Sequence, residues 1–342
     1  MIDLEGLQID EDSIGDSVFT ANSKDSEYFP INIYHDRVFL EDIFNLGFLV
    51  DPQNANQDIN IYLETYGLQV LSRLHHYPYL YYSFDGAEQS EDNIYKLTYM
   101  TMLHAREFGI ALWLVKDNSI TSNNAVTYFG KGPLDSYPDS FNSNTRNYLS
   151  TGDRNDVFFS TDELLEAGKW FEILSTKVVQ VEVQEFNSNG PVIDNFPNLP
   201  SFHRAINLLL AARKSNELPA KIASYISILE CVFCVKGENT QKVSERVAWF
   251  VGEDGEDRLK IFESMRKAYK ERSDYIHGSM IKYTESKIEE RREVIITLDD
   301  IVRKILRKLF LPKYNFLNYL PKDSEKVDKW FNSLVIKGEE DI

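Results

Sequence analysis

The stretch KERSDYIHGS (Lys270–Ser279) carries an arginine, Arg272, and a histidine, His277, with four residues between them. A guanidinium is a permanent cation able to hold two phosphate oxygens at once, and an imidazole gives or takes a proton near neutral pH. Those are the two parts needed for a 2′-hydroxyl to attack a phosphodiester: charge for the non-bridging oxygens, and a proton shuttle for the entering and leaving oxygens. Arg272 and His277 supply both without a metal. Ser273 and Asp274, directly after Arg272, add a hydroxyl and a carboxylate as auxiliary hydrogen-bonding groups. Against this stands a plainer reading, in which His277 ends a solvated helix and complements its dipole. Five residues at ~100° each turn about 140°, so the two side chains start on adjoining faces. A second copy of the chain could bring them together across a symmetry axis.

Other chemistry-bearing residues carry less. Cys231 and Cys234 form a lone CVFC pair in an apolar segment, and zinc needs two more ligands. His75 and His76 are adjacent and point to opposite faces of a strand, while His35 and His104 lack a companion at ligand spacing. Neither a GxxxxGK[ST] loop nor a GxSxG elbow occurs. No metal and no cofactor is expected.

The elements that must position Arg272 and His277 are helical. FHRAINLLLAARKS, PAKIASYISILECVFCV and TQKVSERVAWFV read as three helices, with Pro219 suited to a first turn. In the fourth, EDRLKIFESMRKAYKERSDYIHG, Leu259, Phe262, Met265, Tyr269, Ser273 and Ile276 recur every three or four residues and predict one buried stripe, with Gly278 as a left-handed stop. A fifth, TLDDIVRKILRKLF, starts at a capping box, Thr297 to Asp300, and ends before Pro312. Upstream, FPINIYHDRVFL, DINIYLETYG, YPYLYYSF, IALWLVKDNS and AVTYFG read as strands, and KVVQVEVQEF alternates as one. GKGPLDSYPDS reads as a turn. EDNIYKLTYMTMLHAREFG and TDELLEAGKWFEIL, the latter starting at Thr161, read as helices. The Asn-, Gly- and Pro-rich FNSNGPVIDNFPNLP is the candidate linker.

The expected fold class is α+β: an acidic mixed domain over 1–195, an all-helical bundle over 196–312 and a C-terminal extension over 313–342. The chain of 342 residues has a net charge of −17, unevenly spread: residues 201–342 hold 26 Lys and Arg against 23 Asp and Glu, which leaves the whole deficit to the front. An anion therefore belongs with the back half. No run approaches the ~18 apolar residues of a membrane helix and the first residues are acidic, so no membrane partner and a cytoplasmic location are expected.

The ordered set HRAINLLLAAR, KIASYISILECVF, KVSERVAWFV and YKERSDYIHGS resembles the HEPN superfamily, and more closely the HEPN module of ApeA-type anti-phage proteins. The resemblance spans about Phe202–Phe310. It implies a HEPN helical bundle that dimerises and cleaves RNA without metal at paired R-x4-H motifs. Arg272 would hold the scissile phosphate and His277 would move protons. Glu230, in ILECVF, would face a basic partner in a structural role. RNA, tRNA-like or single-stranded, is the implied substrate, with a phage-derived trigger and an N-terminal sensor domain. The alternative is a non-catalytic HEPN oligomerisation or binding module that acts with a partner.

Overall fold

A computed structural model of the chain describes residues 2–9, 32–34, 73, 77–81, 91–129, 137–142, 146–177, 199–233, 239–277, 284–320 and 323–338. The chain forms two units, Met1–Asn147 with Asn155–Gln180, and Tyr148–Arg154 with Val181–Ile342. Among the described residues, strands and helices mix in the first unit and the second holds helices, so the fold class is α+β with a helical bundle.

In the first unit, β1 (Ile2–Asp3), β3 (Asn32–Tyr34), β4 (Tyr79–Tyr81), β5 (Asn124–Phe129) and β6 (Tyr137–Asn142) make a sheet in the order β3-β4-β1-β5-β6, antiparallel throughout. β2 (Leu7–Ile9) pairs in parallel with β7 (Val157–Phe159). The buried carboxylate of Asp3 ties the sheet centre: it accepts from the backbone N–H groups of Asn123 and Asn124, and from Arg73 Nε at 2.9 Å.

Two expectations fail here. IALWLV is not a strand but the end of helix α1 (Glu91–Val115), because nothing breaks the helix after Gly109. Ile110, Ala111, Leu112, Trp113 and Leu114 are all 1% exposed or less. A helix buried on every side has no 3.6-residue stripe to betray it. Asn118 ends it, donating to Lys116 O and accepting from Ile120 N. The second correction is at YPDS, which belongs to strand β6 rather than to a turn. Helix α2 (Thr161–Lys177) is capped one residue before Thr161: Ser160 N–H donates to Glu163 Oε2 at 2.9 Å, and Glu163 N–H to Ser160 Oγ at 3.3 Å. DINIYLETYG, KVVQVEVQEF after Lys177, His35, His75 and His76 lie outside the described residues.

The second unit is α3 (Ser201–Lys214), α4 (Leu218–Phe233), α5 (Asn239–Val251), α6 (Gly255–Ile276) and α7 (Glu285–Leu309), followed by a 3₁₀ turn (Pro312–Leu317) and α8 (Ser324–Lys337). The helix expected to start at Thr297 starts twelve residues earlier. Thr284 is its N-cap, and Thr297 sits mid-helix with its hydroxyl donating to Glu293 O. Arg291, Ile295, Leu298, Val302, Ile305 and Leu309 continue a single buried stripe through the charged first half. The stripe on α6 also differs: Ile261, Met265, Ala268 and Tyr269 are buried, while Leu259 and Ile276 are more than half exposed and Ser273 is exposed. Gly278 lies outside the described residues.

Residues after Pro312 pack into the bundle. Phe331 on α8 meets Phe233 and Phe250, with ring centres 4.8 and 6.1 Å away. Beside them Arg246, 1% exposed, donates to Phe233 O, Asp328 Oδ1 and Asn332 Oδ1. The short segment Tyr148–Arg154 also lies on the bundle: Tyr148 N–H donates to Arg213 O, and Lys221 reaches Ala212 O at the end of α3.

Candidate functional site

α6 is a well-specified helix. Asp254 caps its N-terminus by accepting from Asp257 N–H, and Glu256 and Asp257 complement the dipole in the first turn. Its last two turns carry Tyr269, Arg272, Ser273, Asp274 and His277. Tyr269 and Arg272, three residues apart, share a face and meet α4.

There Glu230 receives both. Its Oε2 lies 3.6 Å from Arg272 Nη2, and its Oε1 accepts from the Tyr269 hydroxyl at 3.3 Å. Burial, together with the Glu230 charge and hydrogen bond, pushes the Tyr269 phenol well above its ordinary range, with Arg272 opposing. Tyr269 is therefore a neutral donor that fixes Glu230. Glu230 in turn holds Arg272 by charge alone, since the Arg272 guanidinium makes no hydrogen bond to any described residue. Its Nε is buried without a partner, while the side chain as a whole is 34% exposed. The outcome is a cation held near Glu230 that makes no hydrogen bond to a described residue.

His277 is the C-cap of α6, with φ −85° and ψ 5°, and its backbone N–H donates to Ser273 O. Its imidazole is exposed, as is Ser273, and Asp274 is half-exposed. The structure thus places Arg272 inward and His277 outward within one chain, and no hydrogen bond joins them. Glu271, on the far side of α6 from Glu230, accepts from Arg291 Nε at 2.7 Å and fixes α7 against the same two turns. Among the described residues no group of three or more His, Cys, Asp and Glu is arranged to hold a metal ion. Cys231 is half-buried next to Glu230, and Cys234 lies outside the described residues.

The role of Tyr269 was not legible as chemistry, because its place in the apolar period of α6 marked it as core. The one available signal was its spacing of three from Arg272. No described helix is long and apolar enough to cross a membrane. Compared with known protein families, curated proteins and solved structures, the chain matches none of them.

Proposed function

We propose that the chain is a metal-independent endoribonuclease of HEPN type, acting as a dimer in anti-phage defence. The observation that carries this reading is Arg272: half-buried, held 3.6 Å from Glu230 and without a hydrogen bond to any described residue, one turn before an exposed histidine at a helix end. An arginine so placed suits a phosphodiester, whose two non-bridging oxygens can take its fork of N–H groups. His277, free to leave the helix axis, suits proton transfer at the 2′-hydroxyl or the departing 5′-oxygen. The outward and inward positions of the two side chains are reconciled when the Arg272 of one copy works with the His277 of another. The four segments of the HEPN resemblance form the helices α3, α4, α5 and α6. The acidic front unit acts in this reading as a restraint on RNA entry, released by a phage-derived trigger.

The Glu230–Arg272 pair also favours a second reading, a binding module in which Arg272 is structural. The two are separated by incubating wild type, Arg272→Ala and His277→Ala with bulk tRNA in EDTA and analysing the new ends. Cleavage by wild type alone, leaving 2′,3′-cyclic phosphates, supports the nuclease. Phage protection retained by both variants supports the module, and equal cleavage by all three proteins removes Arg272 and His277 from the mechanism.

A further inference from the structure

We propose that the groove between α6 and α7 is a subsite for the single-stranded RNA that flanks the bond to be cut, with lysines for its phosphates and a carboxylate for its ribose. The proposal rests on the ribonuclease reading and extends it to how the strand is held beyond Arg272 and His277.

The groove has a volume of about 340 Å³, within the roughly 300–1,000 Å³ of small-ligand sites. Its charged lining is Lys267, Lys270 and Glu271 from α6, and Lys287, Glu290 and Glu293 from α7. By formal charge the six cancel, but three of them are already engaged. Glu271 accepts from Arg291 Nε at 2.7 Å, and Lys287 donates to Glu290. That hydrogen bond from Lys287 holds the Glu290 carboxyl below its ordinary range, with Lys270 adding a lesser charge from across the groove. What remains is two exposed lysines, three residues apart on one wall, facing the exposed carboxylate of Glu293. None of these three side chains forms an ion pair or a hydrogen bond with a described residue; the Thr297 hydroxyl donates to the backbone oxygen of Glu293, not to its carboxylate.

The lysine wall continues the face that carries His277. Lys270 precedes His277 by seven residues, which puts the two about 20° apart around α6 and about 10 Å apart along it, and Lys267 follows about 4.5 Å further on. A strand engaged at His277 that runs along α6 meets these two cations in turn, and it brings one phosphate per nucleotide. Glu293 decides between polyanions. An acidic peptide would suit the lysines and be repelled by that carboxylate, whereas a ribose 2′-hydroxyl offers it a donor, which is also the group that sets RNA apart from DNA.

The test measures anisotropy of fluorescein-labelled 12-nucleotide oligouridylate and oligodeoxyuridylate in EDTA, using the full chain with His277→Ala so that no strand is cut. Lys267→Gln with Lys270→Gln should lower the slope of log K against log salt by about 1.4, at ~0.7 for each phosphate contact to a single strand, and weaken binding on the order of tenfold at about 0.1 M salt. Lys242→Gln, an exposed lysine of α5 outside the groove, should change the slope little. Glu293→Ala should narrow the preference for ribose over deoxyribose by about two- to tenfold, the worth of one hydrogen bond. All four positions are exposed, so the variants should melt with the parent. No binding by the parent chain, an unchanged slope in the double lysine variant, or an equal loss in Lys242→Gln would overturn the proposal. So would polyglutamate binding through Lys267 and Lys270 while oligouridylate does not. Cleavage is scored separately on the chain with His277 intact, where the double lysine variant should raise KM and leave kcat. His277-dependent cutting by that variant at unaltered KM would sink the subsite and leave the nuclease standing, and RNA bound through the groove without any cutting would do the reverse.

Discussion

Glu230→Gln isolates what the carboxylate does for Arg272. The amide oxygen can still accept from the Tyr269 hydroxyl, so the only loss is the charge 3.6 Å from Arg272. Arg272 and Glu230 are 34% and 22% exposed, and a pair so open to water contributes no more than about 1 kcal/mol to folding. At about 2–4 °C per kcal/mol for a domain of this size, the melting temperature should fall by less than about 4 °C. Activity should fall further. With no charge to hold it, the long Arg272 side chain regains rotamer freedom worth about 1–2 kcal/mol, which must be lost again when the phosphate is gripped. The expected outcome is a drop in kcat of about five- to thirtyfold with KM unchanged or lower, since removing a negative charge also favours RNA. Glu230→Ala should be distinguishable, because it strands the buried Tyr269 hydroxyl at an additional ~1–3 kcal/mol. The assay is steady-state cleavage of a fluorogenic oligoribonucleotide beside a thermal melt. Wild-type kcat in Glu230→Gln, with Arg272→Ala inactive, would refute the positioning argument; a stability loss above about 3 kcal/mol would show the pair to be a structural tie.

His104, 7% exposed, has its imidazole pushed down to about 4 by burial, so its site favours the neutral ring. The folded pKa is depressed, so this stability is complete above the unfolded value of ~6.5 and is lost as pH falls towards about 4, amounting to on the order of 3 kcal/mol. Hydrogen exchange of the α1 amides should accelerate across that window, and His104→Leu should flatten the dependence. Tyr269, whose phenol is raised, works in the opposite direction: stability declines as pH rises above ~10, and Tyr269→Phe should remove that decline in alkaline melts. Gly152 has φ +82°, and a Cβ there would lie 2.5 Å from Asn216 O, so Gly152→Ala should cost at least about 2 kcal/mol and raise proteolysis within Tyr148–Arg154. Arg246→Leu should cost about 3 kcal/mol and free α8, because it strands the Phe233 carbonyl and removes the tie to Asp328 and Asn332.

The helices that hold the candidate site were legible because each has one wet face. α3 to α6 show the apolar period, and Pro219 marks the start of α4. What misled was the period itself, where the environment overrode it. α1 is dry on all sides from Ile110 to Leu114, so IALWLV looked like a strand; the first half of α7 is so charged that its buried Arg291 and Ile295 were passed over for a capping box at Thr297. α8 was missed although SEKVDKWFNSLV has a stripe of its own, Val327, Phe331 and Leu334. Its burial depends on Phe233 and Phe250, some eighty to a hundred residues earlier, which local pattern does not reveal.

The same limit bears on the site. Spacing put Arg272 and His277 about 140° apart, so that a single helix does not force them together, yet it gave no hint of which would face inward. That was decided by Glu230, forty-two residues upstream, and by Tyr269, whose hydroxyl orients the carboxylate. Tyr269, Glu230 and Arg272 act in series, each positioning the next, so a perturbation at the buried end should reach the guanidinium. Tyr269→Phe frees one oxygen of Glu230 and lets the carboxylate turn towards Arg272, shortening the 3.6 Å pair and competing with phosphate. A higher KM with little change in stability near neutral pH follows from that order, and a Tyr269→Phe variant with unaltered KM would show that the three side chains are neighbours without being coupled.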